Sequence, residues 1–189
     1  MTTILGIAGS RRSGSYTRQA VEHVIERAAD RGVETRLVAL REYDLPPFDP
    51  DRPDVGDAPA LREALRGADA VCLGTPVYHG SYSSPLKTAL DYSGFDEFEE
   101  TTVGLCCVAG GRFPVTALDH LRTVCRSLDA WVLPHQVAVP RASSVFADGV
   151  PTDDEIEAML TDLGTDLVEY AHIDRDPGTF ESAENVGGD

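Results

Sequence analysis

The stretch that decides the fold is TILGIAGSRRSGSYTRQAVEHVIERAADRG, residues 3–32. It opens with a short apolar run at residues 3–8, which predicts a buried β-strand. A polar loop rich in glycine and serine follows, and apolar residues from Val21 to Ala28 then recur at the spacing of one helix face. Gly32 is placed to end that helix. A strand, a loop and an amphipathic helix in this order indicate a unit that returns to a parallel neighbouring strand.

The same alternation continues along the chain. Pro134 lies in the last apolar run, and a proline there suits only an edge strand or a bulge. Five strands alternating with five helices predict an α/β fold, with a five-stranded parallel sheet between two helical layers. With Pro134 at an edge, the predicted strand order is 2-1-3-4-5. The four further strands are predicted at residues 33–40, 70–75, 102–109 and 131–139, and residues 41–59 are predicted to form a long loop.

One domain accounts for most of the chain. The chain has 189 residues, a length that fits a single domain, and we place this domain at residues 1–173. Its last helix is predicted to be capped by Thr152, with Glu155 three residues later. Residues 174–189 are acidic and rich in glycine, and we expect them to form a flexible tail. No signal peptide is apparent and no apolar run approaches the ~20 residues of a membrane helix, so we expect a cytoplasmic protein.

The charge is strongly negative, with 32 acidic against 16 basic residues and a net charge of −16. Lys87 is the single lysine, and every other basic residue is an arginine. This balance argues against nucleic acid or an anionic membrane as a partner. The balance fits either an ordinary acidic protein or, as we favour, a halophilic one. In molar salt the Debye length is about 3 Å, so repulsion between the acidic side chains is screened.

The four cysteines do not form a metal or redox motif. They lie in apolar runs or on an apolar helix face, with no CxxC pair and no histidine at ligand spacing. We therefore expect free buried thiols, a reducing compartment and no metal site. They are Cys72, Cys106, Cys107 and Cys125.

Function is expected in the loops after strands 1, 3 and 4, because ligands of such sheets bind beyond the carboxyl ends of the strands. The first loop, residues 9–17, combines hydroxyls, glycines and arginines at a helix amino terminus, which is typical of a phosphate site. It matches neither a Walker A loop nor a GxGxxG fingerprint, and a plain polar turn with a serine cap remains the alternative. The second loop, residues 75–83, can lay its backbone against a flat ring. Glycines in the third, residues 109–113, permit close approach.

The placement of acidic residues supports an anionic ligand. No acid precedes Glu22, although Arg11, Arg12 and Arg18 lie in this stretch. Residues 70–90 and 101–118 are also free of acids, as are residues 130–147. Buried strands explain only part of this deficit, because the exposed loops are spared as well.

Together the three loops resemble those of the NADPH-dependent FMN reductase family. These flavodoxin-like enzymes include quinone, azo-dye and chromate reductases. The resemblance covers about residues 3–170. It is carried by Gly9-Ser10-x-Arg12-x-x-Ser15-x-Thr17, by Pro76-Val77-Tyr78-His79-Gly80-Ser81 with Leu86-Lys87-Thr88-Ala89-Leu90-Asp91, and by Gly110-Gly111-Arg112.

The resemblance implies a flavodoxin-like domain that binds one FMN, with electrons passing from NAD(P)H through the flavin to a quinone, a second flavin or a similar acceptor. It also implies a homodimer or homotetramer. The family usually has Glu at position 77 and Asn at positions 17 and 79. Ser10, Arg12, Ser15, Tyr16 and Thr17 would hold the phosphate, and Pro76, Val77, Tyr78, His79, Gly80, Gly110 and Gly111 would flank the ring.

The flavin carries the chemistry in such a site, so no catalytic acid or base is predicted, and His79 in particular is not expected to be one. Two other functions stay open. One is a non-catalytic FMN electron carrier or redox sensor. The other is a cysteine phosphatase, because Cys106 and Arg112 have the C-x5-R spacing of a phosphatase loop.

Overall fold

The computed structural model of the chain describes residues 1–112 and 115–173. Its sheet has five strands in the order β2-β1-β3-β4-β5, and all four pairings are parallel. The predicted strand order is confirmed. The predicted tail at residues 174–189, and Phe113 of the third loop, lie outside the described residues. The strands are β1 Thr3–Ala8, β2 Glu34–Ala39, β3 Ala70–Pro76, β4 Thr102–Val108 and β5 Trp131–Val139, with a small hairpin of β6 Phe146–Ala147 and β7 Val150–Pro151.

Helices cover both faces of the sheet. Apolar side chains of α1 and α6 pack on one face, and those of α2, α3 and α5 pack on the other, which gives three layers. Within the described residues, no helix is both long and apolar enough to cross a membrane. The helices are α1 Tyr16–Ala29, α2 Ala58–Arg66, α3 Ser84–Asp91, α4 Phe95–Phe98, α5 Val115–Ser127 and α6 Asp154–Glu169, and Ala142–Ser144 form a single 3-10 turn.

The position of Pro134 satisfies both alternatives that the sequence offered. Its strand, β5, is an edge strand. The register between β4 and β5 also shifts, because Val103 pairs with Val132 whereas Leu105 pairs with Gln136. Strand β5 therefore has extra residues at this point, and they form a bulge that includes Pro134. A proline has no N–H to donate, and in a bulge this costs the sheet no hydrogen bond.

Two predicted helix ends are corrected. The cap of α6 is Asp153, whose Oδ1 accepts from the backbone N of Glu155 and Ile156 at 3.1 Å each. The predicted cap, Thr152, is wrong because its backbone N instead donates to Val145 O at 2.9 Å, beside the β6–β7 hairpin. Helix α1 ends at Ala29, so Gly32, with a φ of +85°, forms the turn into β2 rather than the helix end.

Candidate functional site

A cleft of about 240 Å³ lies at the carboxyl ends of the strands. The loops after β1, β3 and β4 border it, as the sequence predicted, and so does the segment after β5. Of the described residues, those that line the cleft include one cationic side chain, Arg12, and no acidic one. The lining residues are Ser10, Arg12, Gly14, Ser15, Tyr16, Thr17, Pro76, Tyr78, Val108, Ala109, Gly110, Ala142 and Ser143.

Two buried serines of the first loop organise the amino terminus of α1. Ser15 Oγ accepts from Arg18 N at 3.1 Å and caps the helix, and Ser10 Oγ accepts from Arg12 N at 3.3 Å. Both serines are about 5–6% exposed. A hydroxyl that accepts these bonds still has its own proton to donate, so both serines can bind an anion. The first turn of α1 contains no acid, and its free N–H groups and dipole also favour negative charge.

The arginines of the first loop have different roles. Arg18 is committed to Glu22 at 2.7 Å and Glu42 at 3.1 Å, and the hydrogen bond and charge of Glu22 raise the pKa of Arg18. Arg12 lines the cleft and forms no ion pair with any residue that the structure describes. Arg12 is therefore the guanidinium available to a ligand phosphate.

Close packing brings the amino end of α1 to this point. A Cβ on Gly74 of β3 would overlap Cγ2 of Val21 and lie 3.3 Å from Cγ2 of Thr17. A Cβ on Gly6 of β1 would lie 2.6 Å from Val21 Cγ1. The two glycines let the helix rest directly on the strands. As a result Thr17 is buried, with 2% of its surface exposed, and it lines the cleft.

Hydrogen bonds join the first and second loops. Ser83 Oγ donates to Gly9 O at 2.6 Å, and Ser83 N donates to Thr75 Oγ1 at 3.0 Å. Gly9 N donates to Gly74 O at 2.8 Å. Ser83 also caps α3, so one buried serine holds the first loop, the second loop and the start of a helix together.

A tight turn follows β3. Tyr78 and Ser81 exchange backbone hydrogen bonds of 3.0 Å in both directions. The two residues between them have positive φ, +50° for His79 and +78° for Gly80, which is the type I′ pattern. A type I′ turn favours Asn-Gly at its two central positions. The backbone conformation therefore explains why the family usually has asparagine at position 79. Histidine, which this chain has there, also tolerates a positive φ. Thr116 Oγ1 holds the turn from α5 by donating to Gly80 O at 2.7 Å.

Glycines leave the third loop open. Apart from its chain neighbours, a Cβ on Gly110 or Gly111 would meet no atom of the described residues within 4 Å, and the same is true of Gly14 in the first loop. Neither Gly110 nor Gly111 has a positive φ. Their lack of a side chain is therefore required neither by packing nor by backbone conformation. It leaves room for a ligand to approach the backbone.

The segment after β5 was not predicted to contribute. Arg141 N donates to Gly111 O at 2.9 Å and Ala142 N donates to Ala109 O at 3.0 Å, which draws this segment against the third loop. Ala142 and Ser143 thereby line the cleft. The lack of acids in residues 130–147 was the one sequence signal that pointed here.

The structure brings eight of the twelve predicted cofactor residues into the lining of one cleft. Four lie outside the lining: Val77, His79 and Gly111 are chain neighbours of lining residues, and Gly80 is two residues from Tyr78. Val77 N donates to Val108 O at 3.0 Å, so it ties the second loop to β4. The eight are Ser10, Arg12, Ser15, Tyr16, Thr17, Pro76, Tyr78 and Gly110.

The cysteines do not form a nucleophile site. Cys106 lies inside β4 with 0% exposure, and burial raises the pKa of its thiol well above the ordinary value. A thiol kept protonated in the core cannot attack phosphorus, so the C-x5-R spacing with Arg112 is accidental. All four cysteines are free and buried, as predicted. Among the residues described, no three metal-ligating side chains come together.

The cleft fits the two ends of FMN. Around the amino terminus of α1 it offers buried hydroxyls, free N–H groups and Arg12, which is the donor set for one phosphate. Beside Pro76, Tyr78 and Gly110 it offers apolar surface and exposed backbone, which suit a flat ring. The described residues include no second glycine-rich loop of this kind for a pyrophosphate.

Comparisons with known proteins agree with this geometry. Residues 2–144 match the family model for NADPH-dependent FMN reductases. The chain is 35% identical over 141 residues to an FMN-dependent NADPH-azoreductase of Staphylococcus aureus, covering 70% of this chain and 73% of that protein.

Solved structures share the fold. An NADH:FMN oxidoreductase in its apo form superposes with a TM-score of 0.74 at 23% identity, over 95% of this chain and 94% of that one. The flavoenzyme FerB, an NAD(P)H:(acceptor) oxidoreductase of Paracoccus denitrificans, gives a TM-score of 0.75 at 21% identity, over 90% and 97%.

Proposed function

The chain belongs to the NADPH-dependent FMN reductase family, and from this membership we propose how its cleft holds FMN and which molecules it reduces. As a member, it is an NAD(P)H-dependent oxidoreductase that uses FMN. The observation that carries the proposal is the convergence of the α1 amino terminus and three loops on one cleft, whose described lining residues include no acidic side chain.

The FMN phosphate is held at the amino terminus of α1. Ser10 and Ser15 donate their hydroxyl protons, and Arg12 adds a cationic side chain that lines the cleft. Tyr16 and Thr17 supply backbone N–H groups of the first helical turn, which have no partner within the helix. Arg18 takes no part, because Glu22 and Glu42 hold it.

The ring lies between the second and third loops. Pro76, Val77 and the turn from Tyr78 to Gly80 border one side, and Gly110 and Gly111 border the other. Backbone groups in these loops can pair with ring nitrogen and oxygen atoms, and the missing Cβ atoms let the ring come close. Tyr78 is 56% exposed at this end and presents a flat surface to an incoming substrate.

When bound, FMN supplies the hydride and electron transfer chemistry. The chain's own residues bind and orient the ring, keep one face accessible and withhold acids from its surroundings. Among the described residues, no side chain of the cleft lining is placed as a general acid or base, since these residues include no histidine, aspartate, glutamate, lysine or cysteine.

The electron acceptor is proposed to be a flat conjugated molecule such as a quinone, a second flavin or an azo compound. The exposed Tyr78 and the open third loop support this, because they leave room for a second planar molecule beside the ring. The test is steady-state NADPH oxidation by the flavin-loaded protein with a benzoquinone, free FMN and an azo dye. Turnover should exceed that of free FMN under the same conditions.

A non-catalytic electron carrier or redox sensor is the second candidate, because it would need the same flavin site. Loaded protein that binds FMN but oxidises NADPH no faster than free FMN, with all three acceptors, would favour that candidate.

Three further properties are proposed for the protein in solution. It is halophilic, which the net charge of −16 supports, and cytoplasmic, which four free buried thiols support. It forms a homodimer or homotetramer. Large apolar side chains that are about half exposed, such as Phe95, Trp131 and Tyr170, offer surface for such contacts.

A further inference from the structure

Two arginines beside the cleft have no assigned role. Arg112 ends the described part of the third loop, and Arg141 follows β5. Both are exposed, and neither forms an ion pair with a residue in 1–112 or 115–173.

The backbone places the two arginines next to each other. Arg141 N donates to Gly111 O at 2.9 Å, and that carbonyl belongs to the peptide bond leading into Arg112. Gly110 and Ser143, which flank this junction, both line the cleft. The two arginine side chains therefore branch from neighbouring backbone positions beside the cleft lining.

The backbone of Arg141 is strained. Its φ of 48° and ψ of 47° lie in the left-handed region, which arginine rarely occupies. Ser144 N and Ser144 Oγ both donate to Arg141 O at 2.8 Å and hold it there. Glycine or asparagine would adopt this conformation more readily. A strained residue that its surroundings hold in place points to a role for its side chain.

An anion is the ligand that this rim fits. Residues 101–118 and 130–147, which carry the two arginines, contain no acid at all. FMN has a single phosphate, and Arg12 with the α1 amino terminus already accounts for it. NADPH carries a phosphomonoester on its adenosine ribose that NADH lacks.

We propose that Arg112 and Arg141 bind the 2′-phosphate of NADPH and give the enzyme its preference for NADPH over NADH. Two guanidinium forks can grip such a dianion with several charge-assisted hydrogen bonds. The assignment rests on the proposed placement of FMN in the cleft. It adds a specificity site at the rim that takes no part in the redox chemistry.

The experiment compares Arg112→Gln, Arg141→Asn and the double variant, each saturated with FMN and in the same KCl concentration. Arg126→Gln is the matched control, because Arg126 is an exposed arginine on α5 without an ion pair among the described residues. The measurements are KM and kcat with NADPH and with NADH. Calorimetry adds the affinity for adenosine 2′,5′-bisphosphate against AMP, which reports on binding without turnover.

Each single change should raise the KM for NADPH about tenfold, and the double change should raise it further. The KM for NADH and both kcat values should stay within twofold. Adenosine 2′,5′-bisphosphate should bind the parent and the control more tightly than AMP does, and the double variant should lose that difference. Arg141→Asn should melt no lower than the parent, and Arg141→Lys should recover only part of the NADPH preference.

Equal losses with NADPH and NADH would overturn the assignment. Variants that bind FMN more weakly but riboflavin as well as the parent does would also overturn it, because the arginines would then bind the FMN phosphate. If the parent binds adenosine 2′,5′-bisphosphate no better than AMP, the rim site is refuted even when turnover is normal. Absence of turnover with preferential binding intact would instead count against the proposed function alone.

Discussion

Gly74 of β3 and Val21 of α1 touch so closely that a methyl group on Gly74 would overlap Cγ2 of Val21. Val21 is fully buried and cannot move aside, since it also faces Gly6. This contact sets how near α1 lies to the sheet. It thereby sets where the helix amino terminus, with Ser15 and Thr17, meets the cleft.

Gly74→Ala is therefore expected to lower both stability and FMN affinity. Overpacking of this kind costs about 1–3 kcal/mol, which corresponds to a fall in Tm of several degrees for a chain of this size. The measurements are a melting curve of the FMN-free protein and an FMN titration. Gly110→Ala is the matched control, because a Cβ there meets nothing within 4 Å. It should leave the Tm of the FMN-free protein unchanged and still weaken FMN. Equal Tm values for both variants would contradict the packing explanation.

Arg12→Ala is expected to weaken FMN by roughly ten- to a hundredfold, because a charge-assisted bond to the phosphate is lost. Riboflavin, which has no phosphate, should bind the variant almost as well as it binds the parent. Fluorescence titration with both flavins measures the difference. Arg11→Ala is the control, since Arg11 neighbours Arg12 but does not line the cleft. If FMN and riboflavin weakened equally, Arg12 would not be the phosphate anchor.

His79 is expected to matter through its backbone. His79 has a φ of +50° in a type I′ turn, a conformation that asparagine adopts readily. The variant His79→Asn should therefore have the same Tm as the parent and oxidise NADPH at a rate within a few-fold of it. His79→Val should lower the Tm, because a β-branched residue in that conformation costs roughly 1–2 kcal/mol. Loss of turnover in His79→Asn with FMN still bound would show that the imidazole itself takes part in the reaction.

Stability is expected to rise steeply with salt. The Debye length falls from about 10 Å at 0.1 M to about 3 Å at 1 M, so repulsion within a chain of net charge −16 is largely screened. Excluded salts add hydrophobic stabilisation. Melting curves at 0.1 M and 2 M KCl, with and without FMN, measure the effect. FMN should also be better retained at 2 M, although screening weakens its phosphate contacts. A Tm that stays flat or falls with salt would contradict a halophilic surface.

The sequence predicted the sheet well because five apolar runs and the helix periodicity between them are strong signals. The proline at position 134 even indicated which strand lies at the edge. The β6–β7 hairpin escaped prediction because two-residue strands leave no periodic pattern. The sequence does not distinguish Thr152 from Asp153 as the cap of α6, because both residue types can cap a helix and only the three-dimensional path of the hairpin decides between them.

The site was predicted in part. Its first loop could be predicted because strand, glycine, hydroxyl and helix follow one another in the chain. Ala142 and Ser143 join the cleft only through backbone hydrogen bonds between the segment after β5 and the third loop. Neither residue stands at the start of a helix or in a motif that would indicate a ligand. The unusual backbone of Arg141 likewise has no signature in the sequence.

The most direct test of the central claim is the identity of the flavin that the cleft holds. The purified protein, reconstituted with a mixture of FMN and FAD in 2 M KCl, is freed of unbound flavin and then heated, and the released cofactor is separated by chromatography. A single phosphate site at the amino terminus of α1 predicts FMN alone, at about one per chain. Recovery of FAD alone, or of no flavin at all, would contradict the assignment of the cleft.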